Sequence, residues 1–288
     1  MKTTNYPLNL LIIKIGRAFF VLAALLCFMA KSHAAKVDTL SIQSAAMGKA
    51  IKTVVILPEK YSEHANYPVL YLLHGYSGNY SNWVKNSSVA NLTDQYGYIV
   101  VCPDGGFGSW YWDIANDPNY QYETFVSNEL IAYIDQHYAT IKNRQGRAIT
   151  GLSMGGHGAL SLAIKHQDIY GAAGSTAGGV DFRPFPLNWE IHDRIGNYSD
   201  VPQEWDNRVV INMLSKLINN KLRLIIDCGK DDFFYAVNMA LHDKLLYHNI
   251  NHTFITSEGG HNWEYWSRSI VYQMAFFKNY FDQPEKKK

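Results

Sequence analysis

The chain has 288 residues, 47% hydrophobic and 18% charged, with a formal net charge of +1. This composition is globular, long enough for a large core, and carries no disorder signature. Near-zero charge removes the electrostatic reason to expect a nucleic acid or an anionic membrane as partner.

The N-terminus has the layout of a secretory signal peptide. Lys14 and Arg17 precede the apolar run "AFFVLAALLCFMA", and "SHAA" offers small residues for cleavage near Ala34 or Ala35. The apolar run, Ala18 to Ala30, is short against the ~20 residues that a membrane span needs. The expectation is residues 1–34 as a signal and 35–288 as one catalytic domain, exported to the periplasm or medium. No stable membrane association is expected after cleavage.

Short apolar runs bounded by turn residues follow: "IKTVVILP", "PVLYLLHG", "YIVVCPDG", "RAITGLS", "LRLIIDCG" and "HTFITSEGG". Most are apolar throughout, as in strands buried on both faces of a parallel sheet. Helix-period segments lie between them. "ETFVSNELIAYIDQHY" puts Val126, Leu130, Ile134 and Tyr138 on one stripe, and "GALSLAIKH", "FYAVNMALHDKLLYH" and "RSIVYQMAFFKNYF" come later. Strands alternating with helices predict an α/β fold: a mostly parallel sheet with helices on both faces. From Gly178 to about Leu217 the chain has prolines, aromatic knots and little period. Such an insertion is a lid or binding wall, or a helical excursion over a sheet edge. The terminal "PEKKK" is a solvated tail.

"GLSMGGHGAL", residues 151–160, carries Gly-x-Ser-x-Gly. By average usage this pattern arises by chance in roughly one chain of this length in ten. The glycines could serve packing alone. Yet a strand-like "RAIT" before the motif and a helix-like segment after it are the context of a nucleophile elbow at Ser153. The helix start would also favour negative charge developing near that serine.

A serine hydroxyl needs a base. Among 11 histidines, His33 leaves with the signal, and His64 lies in a polar turn. His137, His166, His242 and His248 fall on helices or their ends, and His157 packs on the elbow helix. His261, in "SEGGHNW" after the last predicted strand, completes the order Ser, acid, His. "LRLIIDCGKDDFF" offers Asp227, Asp231 and Asp232 for the acid, which would hold the imidazole tautomer. An oxyanion hole would use the Met154 amide and one from the loop at Tyr76, with His74 shaping that loop. There is no Cys/His cluster with zinc spacing, so no metal is expected.

The motifs "LLHGYSGNYSNW", "PDGGFGSWYWD", "YETFVSNELIAYID", "GLSMGGHGAL", "IDCGKDDFF" and "EGGHNWEYW", in that order, resemble the esterase D family of α/β-hydrolases. That group includes S-formylglutathione hydrolases, feruloyl and acetyl xylan esterases, small-ester esterases and mycolyltransferases. The resemblance runs from Val37 to about Phe281. It implies an α/β-hydrolase fold without a cofactor, Ser153 as nucleophile, His261 as base, and Tyr76 and Met154 as oxyanion donors. The family's Gly-x-x-Asp spacing from Gly229 selects Asp232 as the acid. An export signal departs from the cytoplasmic S-formylglutathione hydrolases and favours the carbohydrate-acting and small-ester branches. The family strand order also sets Cys102 and Cys228 about four strands apart, roughly 19 Å, too far for a disulfide.

The expected activity is hydrolysis of carboxylic esters, acetyl or feruloyl groups on carbohydrate. Trp110, Trp112, Trp189 and Trp205 are the candidates to line the substrate pocket. The rival readings are an acyltransferase on the same residues, a small-ester or siderophore-ester hydrolase, and a carbohydrate-binding protein with an idle triad.

Overall fold

The computed structural model describes residues 35–283. The expected signal segment, with Cys27 and His33, and the terminal "PEKKK" lie outside the described residues. The sheet is built from β1 (Lys36–Ser44), β2 (Lys49–Leu57), β3 (Val69–Leu73), β4 (Ile99–Pro103), β5 (Arg147–Gly151), β6 (Ala172–Thr176), β7 (Arg223–Gly229) and β8 (Thr253–Ser257). Its order is β1-β2-β4-β3-β5-β6-β7-β8. β2 runs antiparallel to both β1 and β4. From β4 onward all neighbours are parallel.

The six predicted strands are present, and the structure adds two. β1 is a half-exposed edge strand, so its apolar signal is diluted. β6, "AAGST", has only small residues, yet all five are buried. Gly174 at its centre lies against Thr150 and Gln273, where a side chain would collide.

Side chains alternate across the sheet, as the pleat requires. Val69, Tyr71 and Leu73 join one core, and Leu70 and Leu72 the other. Helices α1 (Asn82–Asn86) and α2 (Val89–Tyr96) follow β3. α3 follows β4 as one run through Tyr122–Thr124, a π-helical turn at Phe125–Glu129, and Leu130–His137. α4 (Met154–Lys165) leaves β5. α5 (Ile191–Ile195) and α6 (Pro202–Arg208) lie in the β6–β7 insertion, α7 (Tyr235–Tyr247) follows β7, and α8 (Trp263–Phe281) follows β8. Leu160 and Ala163 of α4 pack into the first core; Ile270, Met274 and Phe277 of α8 pack into the second. The helices therefore cover both faces, which seals a sheet whose inner strands are apolar on both sides.

Cys102 on β4 and Cys228 on β7 are free, buried thiols, four places apart in the strand order. That separation explains why they do not pair.

Candidate active site

β5 ends at Gly151 and α4 begins at Met154, leaving two residues for the turn. Ser153 sits at φ 55, ψ −118, a conformation that a non-glycine residue adopts only under constraint. The constraint is close packing. A Cβ on Gly151 would stand 2.6 Å from the Gly155 carbonyl carbon, and one on Gly155 would stand 2.6 Å from the carbonyl oxygens of Leu73 and His74. Both flanking glycines of the motif are thus required by sterics. The Ser153 amide donates to the Thr176 carbonyl at 3.0 Å, and the Ser153 carbonyl accepts from His157 and Gly179. Met154 opens α4, so its N–H is among those a helix leaves without an internal partner.

His261 lies between β8 and α8. Its Nε2 is 2.8 Å from Ser153 Oγ, and its Nδ1 is 2.7 Å from Asp232 Oδ2. An ionised carboxylate can only accept, so Nδ1 carries the proton and Nε2 is free to accept the serine proton. The Asp232 side chain has no exposed surface, whereas His261 keeps 14%. Asp232 also holds the local turn: its Oδ1 accepts the Phe234 amide at 2.8 Å.

The other two aspartates are separated by environment. Asp231 is exposed and only 3.4 Å from the Gly259 amide. Asp227 is fully buried at the end of β7. Its carboxylate accepts from Gln273 Nε2 at 2.6 Å, Ser269 Oγ at 2.7 Å and Thr176 Oγ1 at 3.1 Å. Gln273 Oε1 in turn accepts from Thr150 Oγ1 at 2.9 Å. Burial pushes the Asp227 carboxyl up, against these hydrogen bonds. This network joins β5, β6, β7 and α8 beneath the site.

The loop after β3 closes the other side. A Cβ on Gly75 would stand 3.2 Å from Ser153 Cβ, so the Gly75–Tyr76 backbone runs beside the serine. His74, buried, donates from Nδ1 to the Gly75 carbonyl at 2.8 Å and accepts the Gly105 amide on Nε2 at 2.7 Å. It braces this loop, as the sequence suggested.

Ser153 and His261 face a cavity of about 450 Å³ whose walls include Tyr76, Trp189, Phe233, Trp263 and Trp266. Phe233 lies 4.3 Å from the His261 ring and stacks on Trp189 at 5.8 Å. Trp266 meets His261 edge-on at 5.0 Å. Sequence reasoning missed Phe233, Trp263 and Trp266. Their signal was position alone: one residue after Asp232, and two and five after His261.

Three of the four expected pocket tryptophans are corrected. Trp110, Trp112 and Trp205 are core residues, at 1%, 1% and 0% exposure. Trp110 stacks on Trp112 at 5.7 Å, and Trp112 Nε1 donates to His157 Nε2 at 3.0 Å. Trp205 Nε1 donates to the Gly196 carbonyl at 2.9 Å. The indole N–H groups are satisfied internally, so these rings can stay dry. His157 donates from Nδ1 to the Gly179 carbonyl at 3.1 Å, and its pKa is lowered to about 3, chiefly by burial. Among the described residues no group of three or more His, Cys, Asp or Glu is placed to hold a metal ion.

A mostly parallel sheet, helices on both faces and a serine on the strand–helix elbow define the α/β-hydrolase fold, and the protein is a serine carboxylic-ester hydrolase. Residues 44–277 match the model of the family described as "Putative esterase", and the chain belongs to that family. An acetyl esterase of Caldicellulosiruptor saccharolyticus is 28% identical over 225 residues, 74% of this chain and 84% of that protein. A diacylglycerol acyltransferase/mycolyltransferase of Mycobacterium gordonae is 30% identical, covering 93% of this chain and 89% of its own. Among solved structures, a ferulic acid esterase superposes with a TM-score of 0.75 at 26% identity, covering 86% of this chain and 98% of that one. An S-formylglutathione hydrolase of Staphylococcus aureus gives 0.75 at 24% identity, covering 85% and 99%, a likeness of fold. The resemblance drawn from the motifs holds.

Proposed function

We propose that this protein is an exported esterase that removes acetyl or feruloyl groups from carbohydrate through a Ser153 acyl-enzyme. Ser153 Oγ attacks the ester carbonyl while His261 Nε2 takes its proton. Asp232 fixes the ring and stabilises the imidazolium. The amides of Tyr76 and Met154 hold the tetrahedral oxyanion. His261 then protonates the leaving alcohol, and water repeats the cycle on the acyl group. The observation that carries this reading is the chain Asp232–His261–Ser153, at 2.7 and 2.8 Å, opening into an aromatic-walled cavity.

The test is turnover of acetyl, feruloyl and longer acyl esters, on sugars and on simple alcohols, by wild type and Ser153→Ala. Loss of a serine nucleophile lowered turnover by about 10⁶ in a serine protease, and the same scale is expected here with the fold intact. Substantial residual activity in the alanine variant would remove Ser153 from the mechanism.

Export is supported by the sequence of residues 1–34; N-terminal sequencing of the mature protein should begin near Ala35, and an intact N-terminus would refute cleavage. The acyltransferase reading is favoured by the name of the Mycobacterium gordonae relative. It requires transacylated sugar among the products when free sugar is added. Labelling of Ser153 by an organophosphonate would dispose of the idle-triad reading.

A further inference from the structure

The cavity wall changes character at Tyr76. On the His261 side it is made of Trp189, Phe233, Trp263 and Trp266. Behind Tyr76, next to the cavity but not in its lining, lies a polar group, Glu190 with Arg194. Trp189 and Glu190 are two successive non-glycine residues in the left-handed region, each at φ 57. Such strain persists only where the surroundings enforce it. Of this pair Trp189 lines the cavity, whereas Glu190 lies beside Tyr76 outside that lining.

There the Glu190 carboxylate and the Tyr76 ring share one notch over Gly108. A Cβ on Gly108 would stand 3.0 Å from Tyr76 Cε2 and 3.3 Å from Glu190 Oε2. Glu190 Oε2 accepts from Arg194 Nη2 at 3.2 Å, and among the described residues Oε1 has no hydrogen-bond partner. Arg194 also donates to Tyr120 OH at 2.6 Å and lies 3.9 Å over the Tyr120 ring, yet its Nε is buried without a partner. Phe107, 53% exposed, packs on Tyr76 at 4.8 Å. Burial, and then the Glu190 charge, push the Tyr76 phenol up, which keeps it a donor.

A charged acceptor, a planar donor, a phenol and an exposed aromatic face, set side by side, match a ring that carries hydroxyls on its edge and C–H groups on its face. We infer that Glu190, Arg194 and Tyr76 form a subsite that binds the sugar of the ester's alcohol, with Glu190 setting the preference for sugar esters over simple ones. This rests on the carbohydrate reading proposed above. The aromatic-walled cavity then takes the acyl group, and the sugar reaches past Tyr76 to Glu190. A charge-assisted hydrogen bond supplies selectivity, because a simple alcohol offers Glu190 Oε1 no donor.

The experiment compares kcat/KM on acetylated and feruloylated xylo-oligosaccharides with kcat/KM on 4-nitrophenyl acetate and methyl ferulate. In Glu190→Gln the ratio of sugar ester to simple ester should fall about tenfold, mainly through KM, as expected for one charged hydrogen bond. The melting temperature should hold, because a part-exposed i,i+4 pair contributes little stability. Phe107→Ala should lower the same ratio by less. An unchanged ratio in Glu190→Gln, with wild type still favouring sugar esters, overturns the subsite and spares the carbohydrate reading. Wild type with no preference for sugar esters removes both.

Discussion

Two groups of aromatic rings meet at Trp110 and Trp189, 6.0 Å apart. Trp110, Trp112, Phe182 and His157 lie together within the core, with ring centroids 5.2–5.7 Å apart. Trp189, Phe233 and Trp266 lie around the open side of His261. In the first cluster the polar edges are paired internally, so the rings act as filling. In the second the rings surround a histidine that opens onto the cavity, and one ring, Phe233, is 48% exposed. Aromatic residues of the same type therefore hold up the serine from behind and shape what reaches it from the front.

The sharpest way to break this contrast lies on the open side. Asp232→Asn keeps Oδ1 for the Phe234 amide but gives His261 an amide in place of a carboxylate. Turnover should drop by about 10⁴, the loss seen for a triad acid elsewhere, with little change in melting temperature. Asp231→Asn should keep most activity. The reverse result would move the acid by one residue.

Next come the tryptophans. Trp112→Ala should cost about 3–5 kcal/mol of stability, the usual range for a large buried ring, while KM of the folded fraction stays put. Trp189→Ala should do the opposite, raising KM severalfold with a small change in denaturation midpoint. If Trp112→Ala alters substrate preference instead, the buried wall is not buried in solution.

At neutral pH the smallest effect belongs to His157. Its folded pKa of about 3 lies below the ordinary value of 6.5. Above pH 6.5 the ring is neutral in both states and adds no slope. Below it the unfolded chain binds a proton that the folded chain refuses, so stability falls as pH falls, by up to about 1.4 kcal/mol per pH unit. His157→Gln can accept from Trp112 and donate to Gly179 but cannot titrate. Urea denaturation from pH 7 to 4 should show a shallower decline for this variant; identical slopes would mean that His157 is protonated in the folded state.

The parts of the site that were legible in the sequence are those where backbone geometry forces a residue type. Gly151 and Gly155 are dictated by contacts under 3 Å, and they flag Ser153. His261 follows from chain order and from the glycines before it. Asp232 needed the family spacing, because nothing local distinguishes it from Asp231; burial does, and burial is a property of the assembled loops. Trp110 and Trp112 were misplaced for a related reason. A loop such as "GSWYWD" has no period, and Trp110 and Tyr111 at φ 54 and 59 take a course that composition cannot foretell. β6 was missed because its burial comes from its neighbours rather than from its own hydropathy.

The network around Asp227 has a consequence for how the molecule comes apart. Thr150 lies on the strand that leads to Ser153, Asp227 on the strand that leads to Asp232, and Gln273 on the helix that follows His261, all in one connected set of bonds. Opening any one of these elements strands a buried carboxylate or amide without its partners, which makes separate opening unfavourable. They should therefore form a single cooperative unit, the last to exchange its amide hydrogens, while the β6–β7 insertion and the surface helices open earlier and independently. Local fluctuations in the cavity walls can then proceed without loosening Ser153, Asp232 and His261 from one another.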